Sequence, residues 1–348
     1  MMRILFVAPP LAPIGSGESG GVETHLLTLA PLLVERGHFV GVVAPEGSLV
    51  PVSGVTVYEA SGEPSPSATR AARSAVTIAR AGGLIENMWE QAFRVQDEYD
   101  AIVGVSYDWL PFYLTPFFRT PAAHWISICS AIDTVDRMIE QRWREGGLRL
   151  AVYTRSQTAT FPFLDPARVA LLYGAVDPAV FAFHSEPQNR LCWAGRISPE
   201  KGLEDAIAAA RMAGMPLDVC GTIQDEAYWR SLPKDSLTYH GFLAPAELQQ
   251  RYASARAMLV TPHWIEAFGN AVIEAMSCGT PVVAYNRGGP VEIIEHGQSG
   301  ILVPQGDVRA LAAGVREAIN LDRRRVAARA AEFSVTRMAD RFEAWIGV

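Results

Sequence analysis

Short apolar runs alternate with segments of helical periodicity along most of the chain. The runs are continuous in hydrophobicity, which is typical of strands buried on both faces of a parallel sheet. Each is followed by a segment whose apolar residues recur at helical spacing, and this order predicts an α/β protein built from parallel sheets. The clearest predicted strands are 3–8, 40–43, 100–105, 122–128, 217–220, 237–240, 258–260 and 281–285. The clearest predicted helices are 22–36, 69–96 with a break at 82–83, 246–253, 270–277, 307–321 and 333–346.

The pattern divides into two halves that are organised alike. A glycine-rich loop follows the first strand, and a second strand-loop-helix unit starts at Leu191, after a polar segment at 184–190 that reads as a linker. We therefore predict an N-terminal domain at 1–185, completed by the C-terminal helix at 333–348, and a second domain at 186–332. Ligands of such sheets bind at the carboxyl ends of the strands, so a crevice between the two halves is the expected binding site.

Composition narrows the class of protein. The 348 residues suffice for two domains, and 49% apolar with 19% charged residues fits a globular protein. A net charge of −7 gives no support for nucleic acid as a partner, and contact with a membrane is expected to be peripheral at most. No signal peptide or apolar span is evident, and the four cysteines are widely spaced, so a cytoplasmic protein with reduced thiols is expected.

The richest candidate site lies at 261–281. Glu266 and Glu274 stand eight residues apart, and Glu274 falls on a predicted helix that is otherwise largely apolar. A glutamate there needs a partner, because burial of an unpaired charge is costly. Asn270 is the predicted helix cap, and Gly269 lets a ligand approach the helix start, where free N–H groups favour an anion. The stretch predicts a pocket for a molecule with hydroxyl groups and negative charge.

A second candidate lies in the loop after Leu191. Ser198 and Pro199 predict the start of a helix, which places Lys201 in its first turn, against the helix dipole. A bound pyrophosphate would explain a lysine at that position, and Arg196 would add planar phosphate contacts. The alternative is a surface salt bridge to a neighbouring glutamate.

These motifs together resemble one known family. Glu-x7-Glu followed by Ala-Met-Ser-Cys-Gly-Thr-Pro-Val-Val-Ala and by Gly288-Gly289 is similar to the signature of the family 4 retaining glycosyltransferases. The Gly-Arg-x4-Lys-Gly spacing from Gly195 resembles their diphosphate-binding motif, and Gly20-Gly21 with Glu23 resembles their Gly-Gly-x-Glu. The resemblance implies a GT-B fold, with two Rossmann-like, doubly wound parallel-sheet domains that face each other across a cleft.

The resemblance also implies roles for single residues. Arg196 and Lys201 would neutralise the diphosphate, Glu266 would bind the donor sugar, and Glu274 would accept hydrogen bonds from the ribose. His124, inside a predicted strand, would lie near the sugar, and a structural role in the core is the alternative for it. The remaining predicted donor contacts are Gly20, Gly21, Leu243, Phe268, Gly269 and Asn270.

The activity implied is transfer of a hexose from a nucleotide diphosphate sugar with retention at the anomeric carbon. The sequence contains no Asp-x-Asp, and two fixed cations would stabilise the leaving diphosphate, so we predict a reaction without a metal or other cofactor. A front-face displacement is carried over from the family. Departures from the motif at His263, Trp264 and Ala267 lie near the predicted sugar site and point to an unusual donor preference.

Two other functions remain open at this stage. A sugar-nucleotide epimerase of GT-B fold would use a similar site without an acceptor, and a non-catalytic nucleotide-sugar-binding protein would use it without chemistry. A dehydrogenase is disfavoured, because the first glycine loop lacks the dinucleotide spacing. The choice between UDP and GDP, the acceptor (a sugar, a lipid-linked sugar or a small molecule) and the oligomeric state are left undetermined.

Overall fold

Two sheets of parallel strands organise the chain in the computed structural model, which describes residues 1–16, 21–64, 68, 71–78 and 80–347. One sheet has seven strands in the order β3-β2-β1-β4-β5-β6-β7, and the other has six in the order β10-β9-β8-β11-β12-β13. Each order reverses once, at β1 and β4 in the first sheet and at β8 and β11 in the second. This is the doubly wound arrangement, and the predicted α/β class is confirmed.

The first unit comprises Met1–Tyr173 and Val335–Val348. Its strands are β1 Arg3–Val7, β2 Phe39–Pro45, β3 Val55–Ala60, β4 Ala101–Gly104, β5 Ala122–Trp125, β6 Arg149–Val152 and β7 Ala170–Leu171. Its α-helices are α1 Gly21–Glu35, α2 Leu84–Val95, α3 Trp109–Leu114, α4 Asp133–Glu145, α5 Arg155–Thr158 and, from the C-terminal segment, α13 Val335–Ile346.

The second unit comprises Gly174–Ser334. Its strands are β8 Leu191–Ala194, β9 Leu217–Cys220, β10 Leu237–Tyr239, β11 Ala257–Val260, β12 Val282–Tyr285 and β13 Gly300–Val303. Its α-helices are α6 Leu203–Ala213, α7 Glu226–Ser231, α8 Pro245–Ser254, α9 Asn270–Ser277, α10 Pro290–Ile293, α11 Val308–Ala318 and α12 Arg323–Ala330.

The unit boundary falls earlier than the predicted boundary at 185–186. The segment after Tyr173 packs on the second unit, where the Phe181 ring lies 6.1 Å from that of Tyr252 and the Phe181 carbonyl accepts a hydrogen bond from Ser277 Oγ at 2.7 Å. The polar composition of 184–190 suggested a linker, but apolar contacts made just before it decide which sheet the chain joins.

The predicted helix over 69–96 is wrong in its first half. Among the described residues of that half, 71–78 are turn and irregular structure, and the helix α2 begins only at Leu84. Arg73 is held by α4 through both backbone and side chain: its carbonyl accepts from the Asp133 N–H at 2.9 Å, and its guanidinium pairs with Asp133 at 2.9 Å and with Asp136 at 3.1 Å. These contacts hold the segment against α4, and a distant partner of this kind overrides local helix propensity.

Candidate functional site

The loops after β8 and β11 meet where the strand order of the second sheet reverses. The two strands are hydrogen-bonded neighbours, with Leu191 paired to Ala257 and Cys192 to Met258. Their carboxyl ends therefore lie side by side, and the loop that carries Arg196 and the loop that carries Glu266 are adjacent. Such switch points are where open α/β sheets bind ligands.

Lys201 ends a single 3₁₀ turn, Pro199–Lys201, and the helix α6 begins only at Leu203. The predicted start is right in position, with Ser198 at the cap and Pro199 first, but the element is 3₁₀ and not α. Ser198 makes no capping hydrogen bond, and its hydroxyl donates to Glu200 Oε1 at 2.7 Å. Gly202 separates the two elements with a left-handed φ of 63°. The lysine thus lies just outside the α-helix, and the helix dipole does not account for its position.

Close packing explains why a glycine stands at 202. A Cβ there would lie 2.0 Å from the carbonyl oxygen of Thr261, at the end of β11. The Thr261 hydroxyl donates to the Gly202 carbonyl at 2.7 Å. The turn that carries Lys201 is thereby pressed against the loop that carries Glu266.

Lys201 and Glu266 form an ion pair that Trp264 shares. The ammonium group and the indole N–H, the latter at 2.6 Å, both donate to Oε1 of Glu266, and the Lys201 Nζ lies 4.7 Å from the centre of the Trp264 ring. No described residue donates a hydrogen bond to Oε2 of Glu266. One carboxylate oxygen and two ammonium protons are thus left for a ligand, because an ammonium carries three donors.

Neighbouring groups keep the Glu266 carboxyl group ionised. Burial alone would raise the pKa of this carboxyl group, but the Lys201 ammonium, the Trp264 indole and the more distant Arg196 together hold the pKa below its ordinary value. Side-chain exposures of 19% for Lys201 and 14% for Glu266 show that the pair is mostly out of solvent. Glu266 is therefore a fixed carboxylate at neutral pH.

Arg196 completes the basic side of the cluster. Its guanidinium lies 5.8 Å from the Trp264 ring centre and 3.8 Å from the Glu200 carboxylate. The latter distance is too long for a hydrogen bond, and pairs of this kind on partly exposed groups contribute little. A salt bridge to a neighbouring glutamate therefore contributes little at Arg196. Lys201 does form an ion pair, but its partner is the distant Glu266.

Glu274 lies on α9 and has a neutral partner. The Tyr252 hydroxyl donates to its Oε2 at 3.2 Å, and no ion pair to Glu274 forms among the described residues. Burial raises the pKa of Glu274 to about 7, and the Tyr252 hydrogen bond only partly opposes that rise. The partner that the sequence required is therefore a tyrosine, and the group titrates near neutrality.

The start of α9 differs in detail from the prediction. Gly269, with φ of 108°, occupies the cap position, and Asn270 is the first helical residue. The Phe268 ring is buried, 5.8 Å from that of Phe333, so any part of Phe268 in ligand binding falls to its backbone. At Gly289, a Cβ would lie 2.0 Å from the Phe268 carbonyl oxygen, so glycine lets this loop pack closely behind Glu266.

The other predicted site residues lie elsewhere. Leu243 is half-buried in the loop between β10 and α8, Gly21 is the exposed first residue of α1, and Gly20 lies outside the described residues. His124 is buried in β5, where its Nε2 lies 2.8 Å from Thr115 Oγ1, and burial lowers its pKa to about 3. These surroundings favour the structural role for His124.

Sequence reasoning missed two members of the site. Trp264 was noted only as a departure from the family motif, and Tyr252 only as part of a predicted helix. The signal for Trp264 was its position two residues before Glu266, which places an indole donor within reach of the carboxylate. For Tyr252 the sequence holds no signal, because its contact with Glu274 spans 22 residues and two elements.

Two searches of the described residues bear on cofactors and membranes. They contain no group of three or more His, Cys, Asp or Glu side chains placed to hold a metal ion. No helix within them has the length and apolar character needed to cross a bilayer. Independence of metal and the cytoplasmic location stay predictions.

Comparison with known proteins finds a family match within the second unit. Residues 180–333 match the family described as "Glycosyl transferases group 1". A 2-deoxystreptamine N-acetyl-D-glucosaminyltransferase of Streptomyces fradiae is 33% identical over 139 residues, which span 36% of this chain and 33% of that protein. A glycogen synthase of Mycobacterium tuberculosis is 26% identical over 367 residues, covering 92% of this chain and 86% of the synthase.

The fold likeness extends over the whole chain. The structure of Anabaena Alr3699/HepE in complex with UDP and glucose superimposes with a TM-score of 0.77 over 99% of both chains, at 19% sequence identity. The predicted GT-B fold and the resemblance to glycosyltransferases are thereby confirmed, and the transferase activity of the whole protein stays a prediction. Membership of family 4, retention of configuration and the donor base stay predictions.

Proposed function

We propose that this protein, whose residues 180–333 match the group 1 glycosyltransferases, transfers a hexose from a nucleotide diphosphate sugar to an acceptor hydroxyl with retained configuration. The observation that carries the proposal is the cluster of Arg196, Lys201, Trp264 and Glu266 at the switch point of the second sheet. Two cations and a carboxylate with one free oxygen suit a ligand that carries phosphate beside sugar hydroxyls. UDP and glucose in the Alr3699/HepE structure are a ligand pair of that chemistry.

Each group in the cluster has a task in this proposal. Lys201 and Arg196 stabilise the negative charge that develops on the diphosphate as the bond to the anomeric carbon breaks. Oε2 of Glu266 accepts a hydrogen bond from a sugar hydroxyl, and its charge favours the positive ring of the transition state. The acceptor oxygen bonds to the anomeric carbon on the face that the phosphate leaves, and the departing phosphate takes the acceptor proton.

Glu274 would hold the nucleoside. A carboxylate accepts hydrogen bonds from both ribose hydroxyls, and the Tyr252 hydroxyl orients the group from behind. Leu243, the amides of Gly269 and Asn270, and the glycine pair at 20–21 remain further proposed donor contacts. UDP and GDP sugars are both candidate donors, and the acceptor is unassigned.

A panel of nucleotide sugars tests the proposal. The melting temperature of the protein is measured with UDP and GDP sugars, with and without EDTA, and the matching donor is expected to raise it by several degrees in both conditions. NMR of the product then gives the anomeric configuration. Loss of binding in EDTA would contradict metal independence, epimerised sugar without an acceptor would favour the epimerase, and binding with no turnover would favour a nucleotide-sugar-binding protein.

The chain contains a matched control for the key residue. Lys201 and Lys234 are its only lysines, and Lys234 is an exposed residue that donates to the Trp229 carbonyl at 2.7 Å. We expect Lys201→Ala to lower kcat/KM by about 10²-fold, since one preorganised donor is lost. Lys234→Ala should leave kcat/KM unchanged. Equal kinetics of the two variants would remove Lys201 from the mechanism.

A further inference from the structure

His263 is anchored on both sides of its backbone. Its N–H donates to the Glu200 carbonyl at 2.9 Å, inside the 3₁₀ turn that ends at Lys201. Its carbonyl accepts from Arg287 Nη1 and from Gln305 Nε2, each at 3.0 Å. One residue thus connects the turn after β8, the loop after β12 and the loop after β13.

The imidazole ring adds a fourth connection. Its Nε2 lies 2.8 Å from Oδ2 of Asp205, in the first turn of α6, and its Nδ1 lies 3.9 Å from the Glu204 carboxylate. The Tyr285 hydroxyl donates to the same Asp205 oxygen at 2.6 Å. Burial and the Asp205 carboxylate raise the pKa of Tyr285, so the tyrosine keeps its proton and remains a donor.

These contacts fix the two sides of the ion pair against each other. Trp264 and Glu266 follow His263 directly in one loop, and Lys201 lies between the two points, Glu200 and Asp205, that His263 holds. Without the imidazole, the connection between the loop and α6 would lose the ring contact to Asp205. A shift of about 1 Å at a site built on charge and orientation costs up to about 10²-fold in rate.

We infer that His263 is a positioning residue, which sets the separation of Lys201 and Glu266 through Asp205 and Tyr285. The kinetic consequences of this inference rest on the proposed function. His263 itself touches neither donor nor acceptor in this assignment. Its effect is therefore specific to the diphosphate and sugar part of the ligand, which Lys201 and Glu266 hold, and does not extend to the nucleoside part at Glu274.

The test compares two ligands that differ in one phosphate. Affinities of UDP and UMP (or of GDP and GMP, if the protein binds guanine nucleotides) are measured by calorimetry for the wild type, His263→Ala and His263→Gln. We expect His263→Ala to weaken the diphosphate about tenfold and the monophosphate less than twofold, and to lower kcat more than it raises KM. His263→Gln should recover part of both, because its amide N–H can donate to Asp205. His184→Ala, at an exposed histidine of the same unit, is the control and should match the wild type.

Three results would overturn the inference. One is equal loss of affinity for monophosphate and diphosphate, which indicates general destabilisation. Another is wild-type kinetics in His263→Ala. The third is additive effects of His263→Ala and Asp205→Asn in a double-mutant cycle, because a shared path requires coupling.

A crystal structure of ligand-free His263→Ala separates this inference from the proposed function. If His263 positions the pair, Lys201 and Glu266 move apart or lose their contact in the variant, whatever nucleotide the protein binds. An unaltered pair contradicts the inference alone. Failure of the wild type to bind any nucleotide sugar contradicts the proposed function and leaves the crystallographic result as the decisive test of His263.

Discussion

Glu266 and Glu274 lie on one short stretch of chain, but their surroundings shift their pKa values in opposite directions. Lys201 and Trp264 hold the pKa of Glu266 below its ordinary value in spite of burial, whereas burial raises that of Glu274 to about 7. A neutral partner, Tyr252, is too weak to reverse the effect. One carboxyl group is therefore permanently charged near neutral pH, and the other gains or loses its proton there.

The titration of Glu274 predicts a pH dependence of nucleotide binding. Ribose hydroxyls donate best to the ionised carboxylate, so affinity for the donor nucleotide should rise about tenfold between pH 6 and pH 8 and then level off. In Glu274→Gln, which cannot ionise, the affinity should be lower and flat across that range. Calorimetric titrations of both proteins at several pH values check this. A pH slope that persists in Glu274→Gln would assign the titration to another group.

Stability should follow the opposite trend. The folded protein keeps the Glu274 proton up to a pH near 7, while the unfolded chain loses it near pH 4.5, so the folded state binds more protons between these values. The contribution of Glu274 to the free energy of unfolding therefore falls as pH rises through this interval. Urea unfolding at pH 5 and pH 7.5 should show this fall in the wild type relative to Glu274→Gln. An identical pH dependence of both proteins would contradict it.

Arg323 is the clearest case of a residue whose role the sequence concealed. The run 323–325 is most simply a solvated helix face, yet Arg323 donates to the carbonyls of His184, Ala253, Ala255 and Cys278 and to the Thr280 hydroxyl. These acceptors include chain ends of α8 and α9, which have no partners within their own helices. The arginine therefore holds the two helices together.

Loss of Arg323 should be costly where loss of its neighbour is not. Arg323→Ala leaves the buried Ala253 carbonyl without a donor and removes the closer of two donors to the Ala255 carbonyl, so we expect the free energy of unfolding to fall by about 2–4 kcal/mol. Arg324→Ala, at an exposed position, should change it by less than about 0.5 kcal/mol. Urea denaturation of the two variants gives the comparison, and equal stabilities would show that the Arg323 hydrogen bonds contribute little.

For single residues, the sequence shows which side chains require an interaction partner but not which residue provides it. Two glutamates that require compensation and a lysine that requires an explanation could be identified from residue type and local position. The pairing of Lys201 with Glu266 could not be identified, because 65 positions and six helices and strands separate the two residues. The local sequence pattern shows that a side chain requires an interaction partner. Which residue becomes that partner depends on how distant strands pair in the sheet.

Among the elements, the turn around Gly202 matters most to the site. It ends the 3₁₀ turn that Pro199 begins, and it lets the Lys201 turn contact the end of β11. Gly214 has a similar left-handed conformation, φ of 71°, at the other end of α6, with no atom near a Cβ built there. Two glycines thus flank the same helix with similar left-handed backbone conformations, but only Gly202 is closely packed.

This pair gives a controlled prediction. Gly214→Ala should cost about 1 kcal/mol of stability, the penalty of a left-handed alanine. Gly202→Ala adds a clash with the Thr261 carbonyl and should cost clearly more, with loss of diphosphate affinity because the Lys201 turn must move. Chemical denaturation and nucleotide titration of both variants check this. Equal costs would mean that the contact with Thr261 is easily relaxed.

Helices and strands that are determined by neighbouring residues could be predicted from the sequence. Segments that are determined by contacts with distant residues could not. The helix α9 ends at Ser277 as predicted, because Gly279, just past its end, has a left-handed φ of 82° and donates to the Met276 carbonyl, which is a local signal. The parallel strands followed from continuous apolar runs. The segment 71–78 did not, because Arg73 is held by Asp133 and Asp136 on α4.

The whole molecule consists of two units with separate cores. In the first, α13 returns from the end of the chain, where Phe342 is buried against Phe6 with ring centres 5.4 Å apart and Arg36 pairs with Asp340 at 2.7 Å. In the second, the proposed donor site draws on residues of that unit alone for Arg196, Lys201, Glu266 and Glu274. Stability and donor binding are therefore separable by unit.

Calorimetry can test this separation. Two cores predict two thermal transitions, and a nucleotide held by Lys201, Glu266 and Glu274 should raise mainly that of the second unit. Phe342→Ala, which opens a cavity worth about 3–5 kcal/mol, should lower only that of the first. Phe117→Ala, at an exposed phenylalanine of the same unit, is the control and should shift neither. One transition that responds to both nucleotide and Phe342→Ala would contradict the independence of the cores.

The pairing of Lys201 with Glu266 has a consequence for which ligands the site selects. Because Lys201 and Glu266 already neutralise each other, the net charge that the cluster presents to small anions such as inorganic phosphate or sulfate falls to that of Arg196, and these anions offer nothing to the carboxylate. A molecule that brings an anion and a hydroxyl group together can satisfy both partners without separating them. We therefore expect the protein to bind simple anions much more weakly than a phosphorylated sugar, which satisfies both partners at once.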